Sequence, residues 1–158
     1  MDRRSSIKTL IILSAGTALL PSCLQEEKKP SFIVKNFKIS GNDEDTVSAV
    51  SDTIIPEGKT PGAQDVGAYQ FTLMMIDDCY SPDQQQKFTK GLKEFDNFSK
   101  KKINKSLSKA TPEETNEVLK SLESNENVPE NVAFFYHTMK ELTLEAFTLS
   151  KYDVTIVQ

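Results

Sequence analysis

Cys23 is the side chain whose type and position most clearly predict chemistry in this sequence. Once the residues before it are removed, a thiol at a new amino terminus can be acylated. An uncharged stretch from Thr9 to Leu20 follows a basic start. This is the pattern of an export signal, and it is too short for a membrane span of about 20 apolar residues. We therefore predict that residues 1–22 are a signal peptide and that Cys23 carries lipid.

The four residues that end this segment support the assignment. Leu20-Pro21-Ser22-Cys23 resembles the bacterial lipobox, which implies a diacylglyceryl thioether on Cys23 and a further acyl chain on its amine. Several acyl chains hold a protein on a membrane more firmly than a single one. The alternative is an ordinary cleaved signal peptide that has a cysteine near its end.

Arg3 and Arg4 predict the export route. The stretch Asp2-Arg3-Arg4-Ser5-Ser6-Ile7-Lys8 resembles the twin-arginine export signature, with Ser6 where an aromatic residue is usual. That route moves folded proteins, and cells generally reserve it for chains that take up a cofactor before export. Paired arginines also occur in general secretory signals, so both routes stay open.

Residues for other chemistry are scarce after the signal. His137 is the one histidine and Cys79 the one further cysteine, so a His/Cys metal cluster cannot form. On a long amphipathic helix we expect His137 to be a partly buried packing residue rather than a proton carrier. The glycines match neither a dinucleotide fingerprint nor a phosphate loop. We expect no cofactor in this chain. If its signal is nevertheless a twin-arginine signal, the protein that needs this route is a partner that carries a cofactor. A paired-carboxylate hydrolase stays the open enzymatic alternative.

Composition bounds the class of protein further. Residues 23–158 number 136 and carry 16 basic and 22 acidic side chains, a net charge of −6, which argues against a nucleic-acid partner. For the basic run from Lys100 to Lys109, a solvated helix end is the favoured interpretation and a lipid-binding patch is the alternative. With Cys23 acylated, Cys79 has no disulfide partner, and we expect it to be a small buried side chain.

The rest of the chain divides into a tether and one helical domain. Residues 23–39 are predicted to be a lipid-anchored tether, although five of its residues are apolar enough to pack as an extended arm: Phe32, Ile33, Val34, Phe37 and Ile39. Residues 40–158 show five helical patterns. The sequence therefore predicts an all-α fold with a single compact domain of about five helices.

Capping residues and periodicity locate these helices. The first begins after Ser40 or Asn42 and stops at Pro56, before a loop over residues 57–67. The second covers about 66–80 and is apolar around much of its girth, which predicts a central position. Ser81 and Thr111 open the third and fourth with a proline and a capping-box residue. The fifth covers about 129–149.

Five segments of the domain carry a family resemblance over residues 36–155. They are Asp52-Thr53-Ile54-Ile55-Pro56, Thr60-Pro61-Gly62-Ala63, Asp78-Cys79-Tyr80-Ser81-Pro82-Asp83-Gln84-Gln85, Phe134-Phe135 and Met139-Lys140-Glu141-Leu142-Thr143. In this order they resemble the gluconate 2-dehydrogenase subunit 3 family.

The resemblance implies a function without catalysis. Members are small, cofactor-free subunits of membrane-bound sugar and sugar-acid dehydrogenases. Their partner is an FAD flavoprotein of the glucose-methanol-choline type, often with a cytochrome c, and the small subunit commonly bears the twin-arginine signal for the pair. For this chain it implies an exported accessory subunit, lipid-anchored to a bacterial membrane and facing the periplasm, with the inner or outer membrane left open.

We predict the partner interface from two features. One is the loop rich in Pro and Gly after the first helix, and the other is the set of apolar side chains that lie outside the core-facing stripe of a helix. The predicted interface residues are Pro56, Pro61, Gly62, Phe71, Met75, Phe134, Phe135 and Tyr136. The alternative function is a stand-alone helical lipoprotein that acts as a structural or ligand-binding module.

Overall fold

The described part of the domain contains five α-helices, as the sequence predicts. The computed structural model describes residues 28–124 and 127–150, so the predicted signal peptide, Arg3, Arg4, Cys23 and residues 151–158 lie outside the described part. The helices are α1 (Gly41–Ile54), α2 (Ala68–Cys79), α3 (Pro82–Ile103), α4 (Pro112–Glu123) and α5 (Glu130–Leu149). A 3-10 turn, Leu107–Lys109, lies between α3 and α4.

Capping boxes fix the starts of three helices. In α3 the Gln84 side chain accepts a hydrogen bond from the Ser81 backbone N–H at 3.0 Å, and the Gln84 N–H donates back to Ser81 Oγ at 3.4 Å. Thr111 with Glu114 and Ser40 with Asp43 form the same arrangement at α4 and α1. Each cap contributes about 1 kcal/mol to helix stability, which is why these starts are readable from the sequence.

Helix α2 begins two residues later than the sequence predicts. Gly67 has a left-handed backbone with φ of 69°, which ends the turn over residues 63–67 and cannot be part of a right-handed helix. The 3-10 turn was not predicted either, because it follows the left-handed Asn104 (φ 57°) that closes α3 rather than any apolar repeat.

Helix α5 packs most extensively within the domain, against α3 and α2, and it also contacts α1. Its stripe from Val132 to Ala146 is buried, and Phe135 lies between Phe88 and Phe95 of α3. The prediction that α2 is central is wrong, because the Met74 side chain is 44% exposed on its outer side. Among the described residues, no helix has the length and apolar character needed to cross a membrane.

Residues 28–39 form an arm that packs against the helices. Four of the five predicted apolar residues lie against the main core: Phe32, Val34, Phe37 and Ile39. Ile33 does not pack, because its side chain points away from the core and is 82% exposed. Buried Glu44 of α1 fastens the arm, since its carboxylate accepts hydrogen bonds from Ser31 Oγ at 2.5 Å, Ser31 N at 2.6 Å and Phe32 N at 3.2 Å. Burial alone would raise the pKa of Glu44, but these hydrogen bonds outweigh it and the pKa is lowered.

Asp77 of α2 holds the other part of the arm. Its carboxylate accepts hydrogen bonds from Lys35 N at 2.9 Å and Asn36 N at 2.7 Å, and its backbone oxygen accepts one from Asn36 Nδ2 at 2.8 Å. The predicted tether over residues 23–39 therefore includes a packed arm from residue 28 onwards. The physical reason is that two buried carboxylates satisfy the backbone of an extended segment that has no sheet partner.

We predict that Glu44→Ala releases the arm and costs about 1–3 kcal/mol of unfolding free energy, because backbone N–H groups lose a charged acceptor. Denaturant unfolding at neutral pH measures the cost, and limited proteolysis detects cleavage within residues 28–39. Since the folded pKa of Glu44 lies below its usual 4.5, this contribution is present above pH 4.5 and is lost as pH falls through the folded pKa. The control Glu117→Ala, on the exposed side of α4, should change neither readout.

Candidate functional site

A groove of about 410 Å³ lies where the end of α1, the loop after it and the start of α4 meet. We call it the acidic groove, because Asp52, Glu57 and Asp65 line it and Glu113 lies beside it. Apart from Gln64, its other lining residues are small or apolar and include Ala49, Thr53, Pro56, Gly62, Ala63, Ala110 and Pro112. The groove thus combines an apolar floor with a negative rim.

Backbone hydrogen bonds fold the loop over residues 57–67 into one wall of this groove. Ala63 N donates to Ile55 O at 2.8 Å, which brings the loop back against the end of α1. Gly62 N donates to the Asp65 carboxylate at 2.8 Å, and Ala68 N donates to Ala63 O at 2.9 Å. The wall is therefore a fixed turn whose polar backbone groups are satisfied internally.

Asp52 is the electrostatic centre of the groove. Burial raises the pKa of its carboxyl group and the neighbouring Asp65 charge raises it further, against opposing hydrogen bonds from Ser48 and from the Gln64 backbone. Because the folded state holds this proton more tightly than the unfolded chain does, ionised Asp52 lowers stability as pH rises through its folded pKa. A positively charged group placed in the groove would relieve that cost.

Two apolar side chains of α2, one half-buried and one exposed, lie near the groove. Phe71 packs against the buried alanines Ala63, Ala68 and Ala146, and it is half-buried. Met74 lies one turn further along the same face of α2 and is exposed. We call Phe71 and Met74 the apolar patch. The apolar patch adjoins the acidic groove, because Phe71 packs against the cluster that contains Ala63, a residue of the groove lining.

The structure brings together some of the predicted interface residues. Pro56 and Gly62 line the acidic groove, Pro61 adjoins Gly62 in the loop, and Phe71 belongs to the apolar patch. Met75 is half-buried and packs against the main core instead. Of the predicted interface residues, Pro56, Pro61, Gly62 and Phe71 therefore lie close together at the acidic groove and the apolar patch.

Phe134 and Tyr136 lie elsewhere, about three turns of α5 from Ala146. Lys87 lies over the half-buried Phe134 ring at 5.2 Å. The Tyr136 hydroxyl donates to Glu123 at 2.8 Å, and burial followed by this hydrogen bond raises the pKa of the phenol. These two aromatic side chains contact residues of α3 and α4, and they are separate from the acidic groove.

Phe135, Cys79 and His137 differ from the sequence-based expectations. Phe135 is fully buried between Phe88 and Phe95, so it is a core residue and not part of an interface. Cys79 is exposed rather than buried, because it ends α2 on the outer side. His137, expected to be a packing residue, is also exposed and lies 3.9 Å from Glu141 on the same helix.

Sequence reasoning missed the electrostatic role of Asp52 and Asp65. Asp52 stands in a segment that carries the resemblance, but its proximity to Asp65 depends on the loop folding back, which periodicity does not encode. Among the described residues there is no group of three or more His, Cys, Asp or Glu side chains that could hold a metal ion.

We predict that Gly62→Ala disturbs the groove wall. An added Cβ at the buried Gly62 would lie 2.6 Å from Glu57 N and 2.9 Å from Glu57 Cα, so the backbone must shift, at a cost of about 1–3 kcal/mol. Gly58→Ala in the same loop is the matched control, since its Cβ would meet nothing within 4 Å, and it should change stability by less than about 0.5 kcal/mol. Thermal unfolding compares the two, and equal stabilities would contradict the close packing.

Comparison with known proteins adds an independent finding. A family model described as Gluconate 2-dehydrogenase subunit 3 matches residues 42–156, a span that contains α2 to α5 and all of α1 except its first residue. No curated protein and no solved structure matches the chain. Since the match covers well over half of the 158 residues, the chain belongs to the gluconate 2-dehydrogenase subunit 3 family.

Proposed function

We propose that this chain is a non-catalytic accessory subunit that binds and helps to export an FAD-dependent sugar or sugar-acid dehydrogenase of the glucose-methanol-choline type. The family is that of a subunit within a gluconate dehydrogenase complex, so a larger partner is implied. In this proposal the partner supplies both the FAD and the catalysis. A cytochrome c subunit is a further candidate member of the complex.

One observation carries the proposal. The two motif segments around Pro56 and Gly62 build an exposed groove instead of a closed core, and the apolar patch adjoins it. Exposed methionines and aromatic residues beside a polar rim are typical of protein interfaces. We propose that the flavoprotein docks here and places a basic side chain near Asp52.

The charge of the groove sets what that partner must present. Asp52, Glu57 and Asp65 give the groove a negative rim, while its apolar floor favours a side chain with an aliphatic stem. A lysine or arginine meets both demands, because its methylene groups can lie on apolar surface while its charge reaches the carboxylates.

The proposed location follows from the leader sequence. We propose that the chain is exported with its folded partner through Arg3 and Arg4, is anchored by lipid on Cys23, and faces the periplasm. A flavoprotein must bind FAD while it folds, and a folded pair can use only a route that accepts folded proteins. One signal on the small subunit then serves both chains.

The interface is tested by isolating the tagged protein from its native membrane. We expect a co-purified flavin-containing chain with sugar or alcohol dehydrogenase activity, and Met74→Ala should weaken binding by about 2 kcal/mol while changing folding by less than about 0.5 kcal/mol. Ile33→Ala is the control, because Ile33 is exposed on the arm, outside the groove and the patch. A monodisperse monomer that brings down no flavoprotein would favour the stand-alone lipoprotein.

The export route is tested by replacing Arg3 and Arg4 together with lysine, which keeps the charge but removes the paired guanidinium groups. We expect the precursor and its flavoprotein to accumulate together in the cytoplasm, as measured by fractionation and immunoblotting. Lys8→Arg, a charge-preserving change in the same signal, should leave export intact. Normal export of both proteins by the double variant would instead assign a general secretory route.

A further inference from the structure

A second groove, of about 670 Å³, lies at the amino-terminal end of α1. Four exposed lysines line it and come from three parts of the fold: Lys38 from the arm, Lys93 and Lys100 from α3, and Lys109 from the 3-10 turn. We call it the lysine groove. Its lining is more polar than that of the acidic groove, with serines between the lysines.

The two carboxylates in the lysine groove are already engaged. Asp43 accepts hydrogen bonds from the backbone N–H and the hydroxyl of Ser40, both at 2.8 Å. Asp96 accepts from Ser106 Oγ at 2.6 Å and from Leu107 N at 3.1 Å, and it pairs with Lys100 at 2.6 Å. Within the described residues, Lys38, Lys93 and Lys109 form no ion pair, so the groove presents net positive charge.

The charges are segregated along α1. The acidic groove lies at its carboxyl-terminal end and the lysine groove at its amino-terminal end. On α1 the lining of the lysine groove ends at Asp43 and that of the acidic groove begins at Ala49, about 9 Å further along the helix. The lysines and the carboxylates therefore line different grooves, although residues 23–158 are acidic as a whole.

The arm enters the domain at the same end as the lysine groove. Gly41 N donates to Lys28 O at 2.6 Å, and Lys28 Nζ pairs with Asp45 at 2.6 Å. A Cβ at Gly41 would lie 2.5 Å from Lys28 O, so this contact needs glycine. Gly41 directly follows Ser40, which lines the groove. The chain therefore leaves the domain beside the lysines.

Cys23 is five residues before Lys28. Five residues span at most about 18 Å when fully extended. If Cys23 is acylated, this short segment keeps the amino-terminal end of α1 close to the lipid head groups. The acidic groove at the far end of α1 is then turned away from the bilayer.

We infer that the lysine groove docks on anionic lipid head groups and orients the domain with its acidic groove facing the periplasm. The inference rests on the proposed function, because it requires acylated Cys23. Each lysine near an anionic surface strengthens membrane partition about fivefold, so the three lysines without ion pairs contribute roughly a hundredfold. The phosphates of the lipids are the matching charge.

Amine labelling tests the orientation on the acylated full-length mature protein, whose Cys23 lipid is first verified by mass. The protein is placed without partner in phosphatidylcholine vesicles with phosphatidylglycerol, in phosphatidylcholine vesicles alone, and in detergent micelles, and then treated with a membrane-impermeant amine reagent. We expect labelling of Lys93 and Lys109 to slow about fivefold or more on anionic vesicles only, and high salt to abolish this protection. Lys59 and Lys120, exposed on the loop and on α4, should label equally in all three.

Charge reversal supplies the matched variants. Lys93→Glu with Lys109→Glu should remove the protection of Lys38 on anionic vesicles, whereas Lys59→Glu with Lys120→Glu, the same change in net charge, should preserve it. Circular dichroism confirms that both variants keep their helices. Loss of Lys38 protection in both pairs would show an effect of net charge alone and would overturn the inference.

The remaining outcomes separate the inference from its premise. Equal protection on neutral and anionic vesicles would mean that the anchor alone brings the groove close, and it would overturn the docking. A further sample in micelles contains added flavoprotein. If the lysines are protected in micelles only in that sample, the lysine groove is assigned to the partner, and the docking on lipid is overturned as well. An unacylated Cys23 would defeat the proposed anchoring and the inference together, whereas acylated Cys23 without differential protection would defeat the inference alone.

Discussion

Contact between α3 and α5 at Gly91 is the constraint on which the rest of the domain depends. A Cβ at this position would lie 2.1 Å from Asn131 O and 2.8 Å from Phe135 Cβ, so only a residue without a side chain allows the two helices to approach this closely. The Phe135 ring then lies 5.1 Å from the ring of Phe88 and 5.3 Å from that of Phe95. Once α5 is seated on α3, its other sides receive α2 and α1, and both grooves form at the margins of this arrangement.

Buried polar side chains form hydrogen bonds to backbone groups that the apolar core leaves without partners. The Gln85 amide donates to the carbonyl oxygens of Ile76 at 3.0 Å and Asp77 at 3.1 Å, which satisfies the open end of α2 at its junction with α3. Glu44 and Asp77 do the same for the backbone of the arm. Such groups are costly to bury without partners, so they specify one arrangement of the arm, α1 and α2.

The sequence predicts the helices well because their determinants are local. Ser81 with Gln84 and Thr111 with Glu114 lie within one turn, and the α5 stripe through Phe135 and Met139 follows helical periodicity. The same periodicity could have placed Phe135 in the core, but its aromatic neighbours favoured an interface assignment, which is wrong. The partners of the arm and of Asp52 are far away in sequence or depend on a loop turning back, and no spacing rule encodes those contacts. The lysine groove draws on three separate segments for the same reason.

Attachment of the arm also has a mechanical consequence. Any pull on the chain from its amino-terminal side reaches the domain first at Lys28, then at the hydrogen bonds to Glu44, and then at those to Asp77. These contacts of the arm are made to α1 and α2, whereas the close contact at Gly91 joins α3 and α5. The load therefore acts on these polar contacts one after another before it reaches the aromatic centre. A pull at the amino-terminal end would detach the arm from α1 and α2 while the contact between α3 and α5 stays intact.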